Sequence, residues 1–482
     1  MKKVLVLGLG KTGLSACRYL HAQGIAVCVA EESRERLNLA QAEGYPSLVE
    51  AGWEDVSAVV VSPGIPWCWP TPHPVCLKAR QLGIPLITDV DLFMQARLAQ
   101  APHSHMIAIT GTNGKSTTTA LMHHVLQTLG KPVVMGGNIG VPVLDLLCHS
   151  DSFCHSREGG NPSIDAVDPR LREGDKDFTY VLELSSYQLE LSHSVFPQTA
   201  ILLNITPDHL GRHGGMAGYI AAKARIFEGL SQGGTGVISV DDAHCRELYN
   251  HFQRDTLIPI STEQALPHGV YVEKGQLVDA LGTTPQVMGS LEGMPTLRGP
   301  HNWQNMLAVY AALRSQGLSG HRVVEAFRTF PGLAHRQELV GTYEGVTFIN
   351  DSKATNVESV SKALPYYENI YWILGGQAKE GGLQGLEPWL KRIRHAYLIG
   401  EAAPNFAAYL ASHSVPYTIV KTLENAVPQA AQAALADPNG QATVLLSPAC
   451  ASWDQFASFE ARGDAFRTLA RTFINKDRPP HA

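Results

Sequence analysis

The chain has 482 residues, 44% of them apolar and 17% charged, with 38 lysines and arginines against 44 aspartates and glutamates for a formal net charge of -6. That length exceeds what one hydrophobic core serves, so roughly two to four domains are expected, with three favoured. The acidic balance provides no basic field for nucleic acid or an anionic membrane surface, and no stretch reaches the roughly 18 apolar residues of a membrane helix, so the expected partners are small molecules.

The cysteines, at positions 17, 28, 68, 76, 148, 154, 245 and 450, form no C-x-x-C pair and no metal-ligand spacing. Reduced thiols of a cytoplasmic protein are therefore expected. Met1-Lys2-Lys3 before VLVLGLG has the outline of a signal peptide, but Gly8, Gly10 and Lys11 interrupt the apolar run too early for one.

Residues 4–7 read as a buried strand, and GLGKTG at 8–13 turns it into a helical pattern at 14–20. A second strand, 25–30, ends in Glu31 and Glu32. Gly8, Gly10 and Gly13, with Thr12 between them, would bring a helix N-terminus to a pyrophosphate, and Glu31 would take a ribose or base edge. A third strand at 58–62 ends in Ser62-Pro63-Gly64, again a turn at a strand's C-terminal end, where open α/β sheets bind ligands. Residues 1–100 are read as a Rossmann-like domain that holds a nucleotide diphosphate. An NAD-dependent dehydrogenase would share this opening, but a separate phosphate loop further along argues against it.

That loop is TGTNGKSTTT at 110–119, between an apolar strand at 106–109 and a helical run from Thr117. Gly111 and Gly114 let successive N–H groups (Thr112, Asn113) point at one anion, Lys115 would reach the β- and γ-phosphates, and Ser116 or Thr117 would offer a hydroxyl to Mg²⁺. The longer Walker pattern wants glycine where Ile109 stands, so the form is the shorter G-x-x-G-K-S/T. Further on, the turn at 136–140 carries Asn138, whose amide could meet a substrate phosphate or carboxylate. Residues 148–177 are charged, rich in proline and glycine and without apolar period, and read as an inserted, disordered loop.

The strand at 180–184 delivers Glu183, Ser185 and Gln188, and the strand at 200–205 delivers Asp208 and His209. A carboxylate within an apolar strand is costly unless used, so Glu183 is a candidate metal ligand, with His209 a second and Asp208 its orienter. Lys223 in YIAAKARIF reads by itself as a solvated helix cation. Asn302 and Asn305 stand at a helix start, where one would cap the helix or reach an adenine edge. With these, residues 101–331 form a central ATP-binding domain. A third unit, 332–482, alternates strands and helices. Its strands deliver Asp351, Ser352, Lys353 and Thr355, then Lys379, then Ser452, with Phe459 following; Cys450 lacks an adjacent base and reads as a buried thiol.

The blocks TGTNGKST, LELSSYQLE, NITPDH, AAKARIF, GPHNWQN, LAHRQE, NDSKATN and LLSPACASWDQFASFEARGDAF, in this order and at these intervals, resemble those of the Mur ligases over nearly the whole chain. The resemblance implies three α/β domains: a Rossmann-like UDP-binding domain, a central P-loop-type ATPase domain and a Rossmann-like C-terminal domain. It implies an ATP-dependent amide-bond former of peptidoglycan precursor synthesis, and the last block with the first domain points to the member that joins D-glutamate to UDP-N-acetylmuramoyl-L-alanine through an acyl phosphate. Carried over by motif, Lys115 and Ser116 serve the phosphates and Mg²⁺, with two ions expected, and Glu183, His209 and a carbamylated Lys223 hold the metal. Asn302, Asn305, Arg336 and Asp351 fall at the nucleotide. His209, Lys353, Thr355, Lys379, Ser452 and Phe459 fall at D-glutamate. The glycine turn at 8–13 with Glu31, Ser62, Gly64, Asn138, Ser185 and Gln188 falls at the UDP-sugar. A cytoplasmic monomer is expected. A Mur-type ligase for another amino acid, and a nucleotide binder disabled by the insertion, are the alternatives.

Overall fold

The computed structural model describes residues 2–147, 178–252, 254–294, 296–377, 382–438 and 440–476. The insertion read at 148–177, and Lys379, lie outside the described residues. Among the described residues the strands form three sheets, and the chain divides into two compact units, Met1–Phe330 and Pro331–Ala482.

In the first sheet β1 (Lys3–Leu7), β2 (Ala26–Ala30), β3 (Val56–Val61) and β4 (Leu86–Ile87) run parallel in the order β2-β1-β3-β4. A parallel strand flanked by helices has two apolar faces to bury, which is why VLVL of β1 is an unbroken hydrophobic run: Leu5, Val6 and Leu7 are buried. β1 lies between β2 and β3, so the strand order reverses there, a switch point at whose C-terminal end open α/β sheets bind ligands.

The second sheet takes β5 (His105–Thr110), β6 (Val133–Gly137), β7 (Thr179–Glu183), β8 (Thr199–Leu202), β9 (Thr235–Ser239), β10 (Leu257–Ser261), β11 (Gly269–Glu273), β12 (Gln276–Ala280) and β13 (Gln286–Ser290) in the order β13-β12-β11-β10-β9-β8-β5-β7-β6. From β6 to β11 the pairs are parallel, and β12 and β13 add an antiparallel edge. β5 lies between β7 and β8, in register Ile109 to Glu183 and Thr110 to Leu202. Three loops, after β5, β7 and β8, therefore emerge side by side.

The unit Pro331–Ala482 holds the third sheet: β14 (Glu338–Tyr343), β15 (Val346–Asn350), β16 (Ile370–Gly375), β17 (Ile393–Ile399), β18 (Tyr417–Lys421) and β19 (Ala442–Leu446), in the order β14-β15-β19-β16-β17-β18 with only β14 antiparallel. β19, last in sequence, slots between β15 and β16. Asn350 pairs with Leu446, so the polar segments after β15 and β19 become neighbours.

Candidate functional site

The loop after β5 is held from three sides. Gly111 (φ 152°) and Gly114 (φ 85°) take backbone conformations that L side chains disfavour, and a Cβ on Gly114 would lie 2.4 Å from Asn305 Oδ1. The Asn113 N–H donates to Asn204 Oδ1 at 2.8 Å, and Asn204 Nδ2 donates to Gln304 Oε1 at 2.8 Å. Thr112 Oγ1 lies 3.0 Å from the Tyr219 hydroxyl. The helix Lys115–Thr128 starts at Gly114, with Ser116 buried and Thr117 half-buried. Its first N–H groups and partial positive charge face the loop, the arrangement that binds phosphate. Lys115 Nζ folds back to donate to Gly111 O at 2.9 Å and Thr112 O at 2.8 Å.

Lys223, on the helix Met216–Glu228, is 1% exposed and donates to the same Gly111 carbonyl at 2.8 Å. The surface-cation reading of this lysine is thereby corrected: the face of the helix that carries it packs under the phosphate loop. Burial, with the like charge of Lys115, lowers its pKa to about 7. An amine held there is substantially neutral and nucleophilic near neutral pH.

Glu183, at the end of β7 and 2% exposed, accepts from Asn138 Nδ2 at 2.8 Å through Oε1, while its Oε2 is buried without a partner among the described residues. The Asn138 N–H also donates to Glu183 O at 2.9 Å, so Asn138 is engaged twice with this residue. His209 is half-exposed in the left-handed region (φ 53°), with Nε2 3.4 Å from Asp208 Oδ2. Burial and the charges of Lys115, His213 and Lys223 outweigh Asp208 and hold His209 below its ordinary pKa.

Two expectations meet a different local structure. Ser185 caps the helix Ser186–Leu191 and Gln188 completes the capping box, Ser185 Oγ donating to Gln188 Oε1 at 3.0 Å; the side chains expected at the UDP-sugar are turned on each other. Neither Asn302 nor Asn305 caps the helix Pro300–Ser315, which starts after Gly299 with Pro300 in its first turn. Asn305 instead accepts from Thr118 Oγ1 at 3.1 Å and donates to Asn302 at 3.1 Å, backing the phosphate loop. Asn204 and Gln304, which clamp that loop, were not singled out in the sequence. The signal available was their place inside NITPDH and GPHNWQN.

At the end of β1, Gly8 has φ 87°, Ser62 Oγ donates to Gly8 O at 2.7 Å, and a Cβ on Gly13 would stand 1.9 Å from that same oxygen. Gly10 precedes the helix Lys11–Ala22, which carries Thr12. Glu31 accepts from the Leu9 N–H at 2.6 Å and the Ser33 N–H at 2.9 Å, pinning the glycine turn. Gly64, in the next turn, is exposed.

In the second unit, Asp351 is buried and accepts from Ser447 Oγ at 2.8 Å and the Gln337 N–H at 3.2 Å. Burial raises it to about 7, against which Ser447, Gln337 and the charge of Arg336 act. Lys353 Nζ lies 5.1 Å over the Phe459 ring, and Thr355 donates its N–H to Lys353 O at 2.8 Å. Ser452 is 2% exposed, with Oγ unpartnered among the described residues. Beneath them runs Arg462, unread in the sequence and 1% exposed, donating to Ser352 Oγ and to the carbonyls of Ser352, Cys450 and Ala451. It ties the segment after β15 to that after β19. Cys450 is fully buried.

Among the described residues no three His, Cys, Asp or Glu side chains converge as a metal cluster, and no helix is long and apolar enough to cross a membrane.

Three family models match the chain: the Mur ligase MurD-like N-terminal domain over residues 2–88, the Mur ligase middle domain over 109–313, and the Mur ligase glutamate ligase domain over 335–450. The UDP-N-acetylmuramoylalanine--D-glutamate ligase of Paramagnetospirillum magneticum is 48% identical over 478 residues, 98% of this chain and 97% of that protein. The relative of that name from Rhodospirillum rubrum is 46% identical over 96% of this chain and 93% of its own. Among solved structures, UDP-N-acetylmuramate-alanine ligase MurC of Thermotoga maritima aligns with TM-score 0.55 at 19% identity over 99% of both chains, and MurF of Acinetobacter baumannii with 0.57 at 19% over 79% of both. These two likenesses concern the fold alone.

Proposed function

The chain belongs to the Mur ligase family, and we propose that it joins D-glutamate to UDP-N-acetylmuramoyl-L-alanine, converting ATP to ADP and phosphate, in cytoplasmic peptidoglycan precursor synthesis. The substrate pair follows from the relatives' name. The observation that carries the chemistry is the loop Gly111 to Ser116, with two lysines on the Gly111 carbonyl and a half-satisfied carboxylate, Glu183, at the next strand's end.

The N–H groups of the loop and the helix N-terminus cradle the ATP phosphates, and Lys115 leaves the carbonyls of Gly111 and Thr112 for a phosphate oxygen of higher charge. The alanine carboxylate attacks the γ-phosphorus, giving an acyl phosphate and ADP. The amine of D-glutamate then adds to the acyl carbon and phosphate departs. Most of the acceleration comes from positioning and charge neutralisation.

The orphaned Glu183 Oε2 fits a hard cation, and the family's Mg²⁺ would be held by Glu183, Ser116, His209 and Lys223 as its carbamate, with two ions. Bound there, Mg²⁺ would neutralise charge on the transferring phosphoryl group. The low pKa of Lys223 supports the carbamate, since only the neutral amine attacks CO₂. Asn302 is assigned to the adenine end, and Asn305 backs the phosphate loop through Thr118. Lys353, Thr355, Lys379, Ser452 and Phe459 are assigned to D-glutamate, and the glycine turn with Ser62, Gly64 and Asn138 to the UDP-sugar. Glu31, Ser185 and Gln188 act there through the backbone they fix. Residues 1–100, 101–331 and 332–482 are the proposed domains, in a monomer.

The test is phosphate release from ATP, Mg²⁺ and UDP-N-acetylmuramoyl-L-alanine with D-glutamate, L-glutamate, L-alanine or diaminopimelate as acceptor. Release with D-glutamate alone is expected. Release with another acceptor would reassign the chain within the family, and none with well-folded protein would overturn the reading.

A further inference from the structure

A buried polar chain within the first unit lies beside the assigned residues without being one of them. Ser186 Oγ is 3.0 Å from His213 Nε2, and His213 Nδ1 is 3.1 Å from Glu190 Oε1. A carboxylate only accepts, so His213 Nδ1 donates to Glu190, and Nε2 faces the Ser186 hydroxyl, which can donate or accept. Glu190 Oε2 accepts from Trp67 Nε1 at 2.8 Å and from Arg212 at 2.9 Å, and Arg212 also donates to Ile65 O at 3.1 Å. Trp67 and Ile65 belong to the turn that leaves β3 through Ser62 and Gly64. Glu190 thus ties the UDP-sugar turn to the helix that Ser185 caps.

His213 continues the connection. Its ring stacks on Tyr187 at 5.5 Å, and Tyr187 lies 5.0 Å from the His209 ring. His213 also lies 5.4 Å from Tyr219, whose hydroxyl meets Thr112 of the phosphate loop and whose ring lies 4.8 Å from Lys223 Nζ. A Cβ on Gly214 would stand 3.0 Å from the Trp69 indole, so the backbone here also packs against that turn. Buried polar groups joined in this way have few alternative arrangements, and a displaced member leaves its partners unpaired.

We propose that Glu190 and His213 are positioning residues that couple the two nucleotide sites, so that filling the turn after β3 with the UDP-sugar orders His213, Tyr219 and Thr112 and tightens the phosphate loop for ATP. The proposal rests on the substrate reading above. The coupling is reciprocal, each ligand raising the affinity for the other by the same factor.

The test is titration of the full chain with a non-hydrolysable ATP analogue and Mg²⁺, with and without saturating UDP-N-acetylmuramoyl-L-alanine. Wild-type protein should bind the analogue at least about 5-fold tighter with the sugar nucleotide present. Trp67→Phe, which removes one N–H donor, and His213→Gln should both bring that ratio close to one, while the analogue alone binds as to wild type. Trp67→Phe carries the test if His213→Gln fails to fold. An unchanged ratio in Trp67→Phe overturns the relay, as does a wild-type protein that binds both ligands without coupling. A wild-type protein that binds no UDP-sugar overturns the substrate reading and the relay with it.

Discussion

Lys115 and Lys223 place their ammonium nitrogens 2.9 and 2.8 Å from a single carbonyl oxygen, that of Gly111. Burial, with the like charge of Lys115 on the same acceptor, lowers the affinity of Lys223 for its proton, and either an anionic phosphate or conversion of Lys223 to an anion relieves the conflict. Lys223→Gln is one bond shorter but keeps an N–H donor on the side of Gly111 O, and it cannot form a carbamate. It should lower D-glutamate-dependent phosphate release by about 10²-fold or more with the fold intact. Steady-state kinetics measure this, and ¹³C NMR in labelled bicarbonate should give a carbamate signal in wild type alone. A fully active wild type without that signal refutes the assignment.

Asn204 holds the Asn113 backbone at both its N–H and its carbonyl, at 2.8 and 3.2 Å. Asn204→Ala frees the loop's crest and leaves those groups to water, which should cost about 1–3 kcal/mol of ATP binding. An ATP-analogue titration should show the weakening without loss of UDP-sugar affinity.

Gly13 and Gly10 lie three residues apart, yet only Gly13 should be sensitive to alanine. A Cβ at Gly13 meets Gly8 O at 1.9 Å, whereas nothing lies within 4 Å of one at Gly10. Gly13→Ala should destabilise the first sheet by about 1–3 kcal/mol and weaken the UDP-sugar. Gly10→Ala should leave the melting temperature unchanged; equal melting of the two variants would contradict the packing.

Asp89, 2% exposed with Oδ1 unpartnered among the described residues, is raised by burial from 3.8 to about 7. A carboxyl whose folded pKa lies above its unfolded one binds more protons in the native state between those values, so it lowers stability as pH rises from about 4 through about 7. Asp89→Asn removes that slope. Its melting temperature relative to wild type should rise between about pH 5 and about pH 8, and a constant difference would show that Asp89 stays ionised throughout.

Ser452→Ala deletes a buried hydroxyl that has no partner among the described residues, so stability should hold or improve slightly. The acceptor D-glutamate should lose a contact, its KM rising about 5- to 10-fold, the worth of about one hydrogen bond. A fall in melting temperature with unchanged KM would make Ser452 structural.

The sequence by itself determined the motifs that chain connectivity alone can build. A strand, a glycine turn and a helix start are consecutive residues, so GLGKTG and TGTNGKST announce their phosphate geometry without any knowledge of packing. Apolar runs such as VLVL and MIAI likewise declare buried parallel strands, because both their faces must be covered. What lay between distant segments was decided by tertiary structure. Lys223 is a helix lysine that local pattern assigns to solvent, and only the placement of the helix Met216–Glu228 under the loop after β5 buries it. Asn305 stands where a cap is plausible, and only the approach of its helix to Gly114 gives it the loop to support. Arg462 and Glu190 are ordinary helix residues in sequence. Their partners lie more than 100 residues away, at Ser352 and Trp67, and strand order brings them within hydrogen-bond reach. Burial then makes each of those pairings obligatory, since a polar group removed from water must find its partner inside the fold.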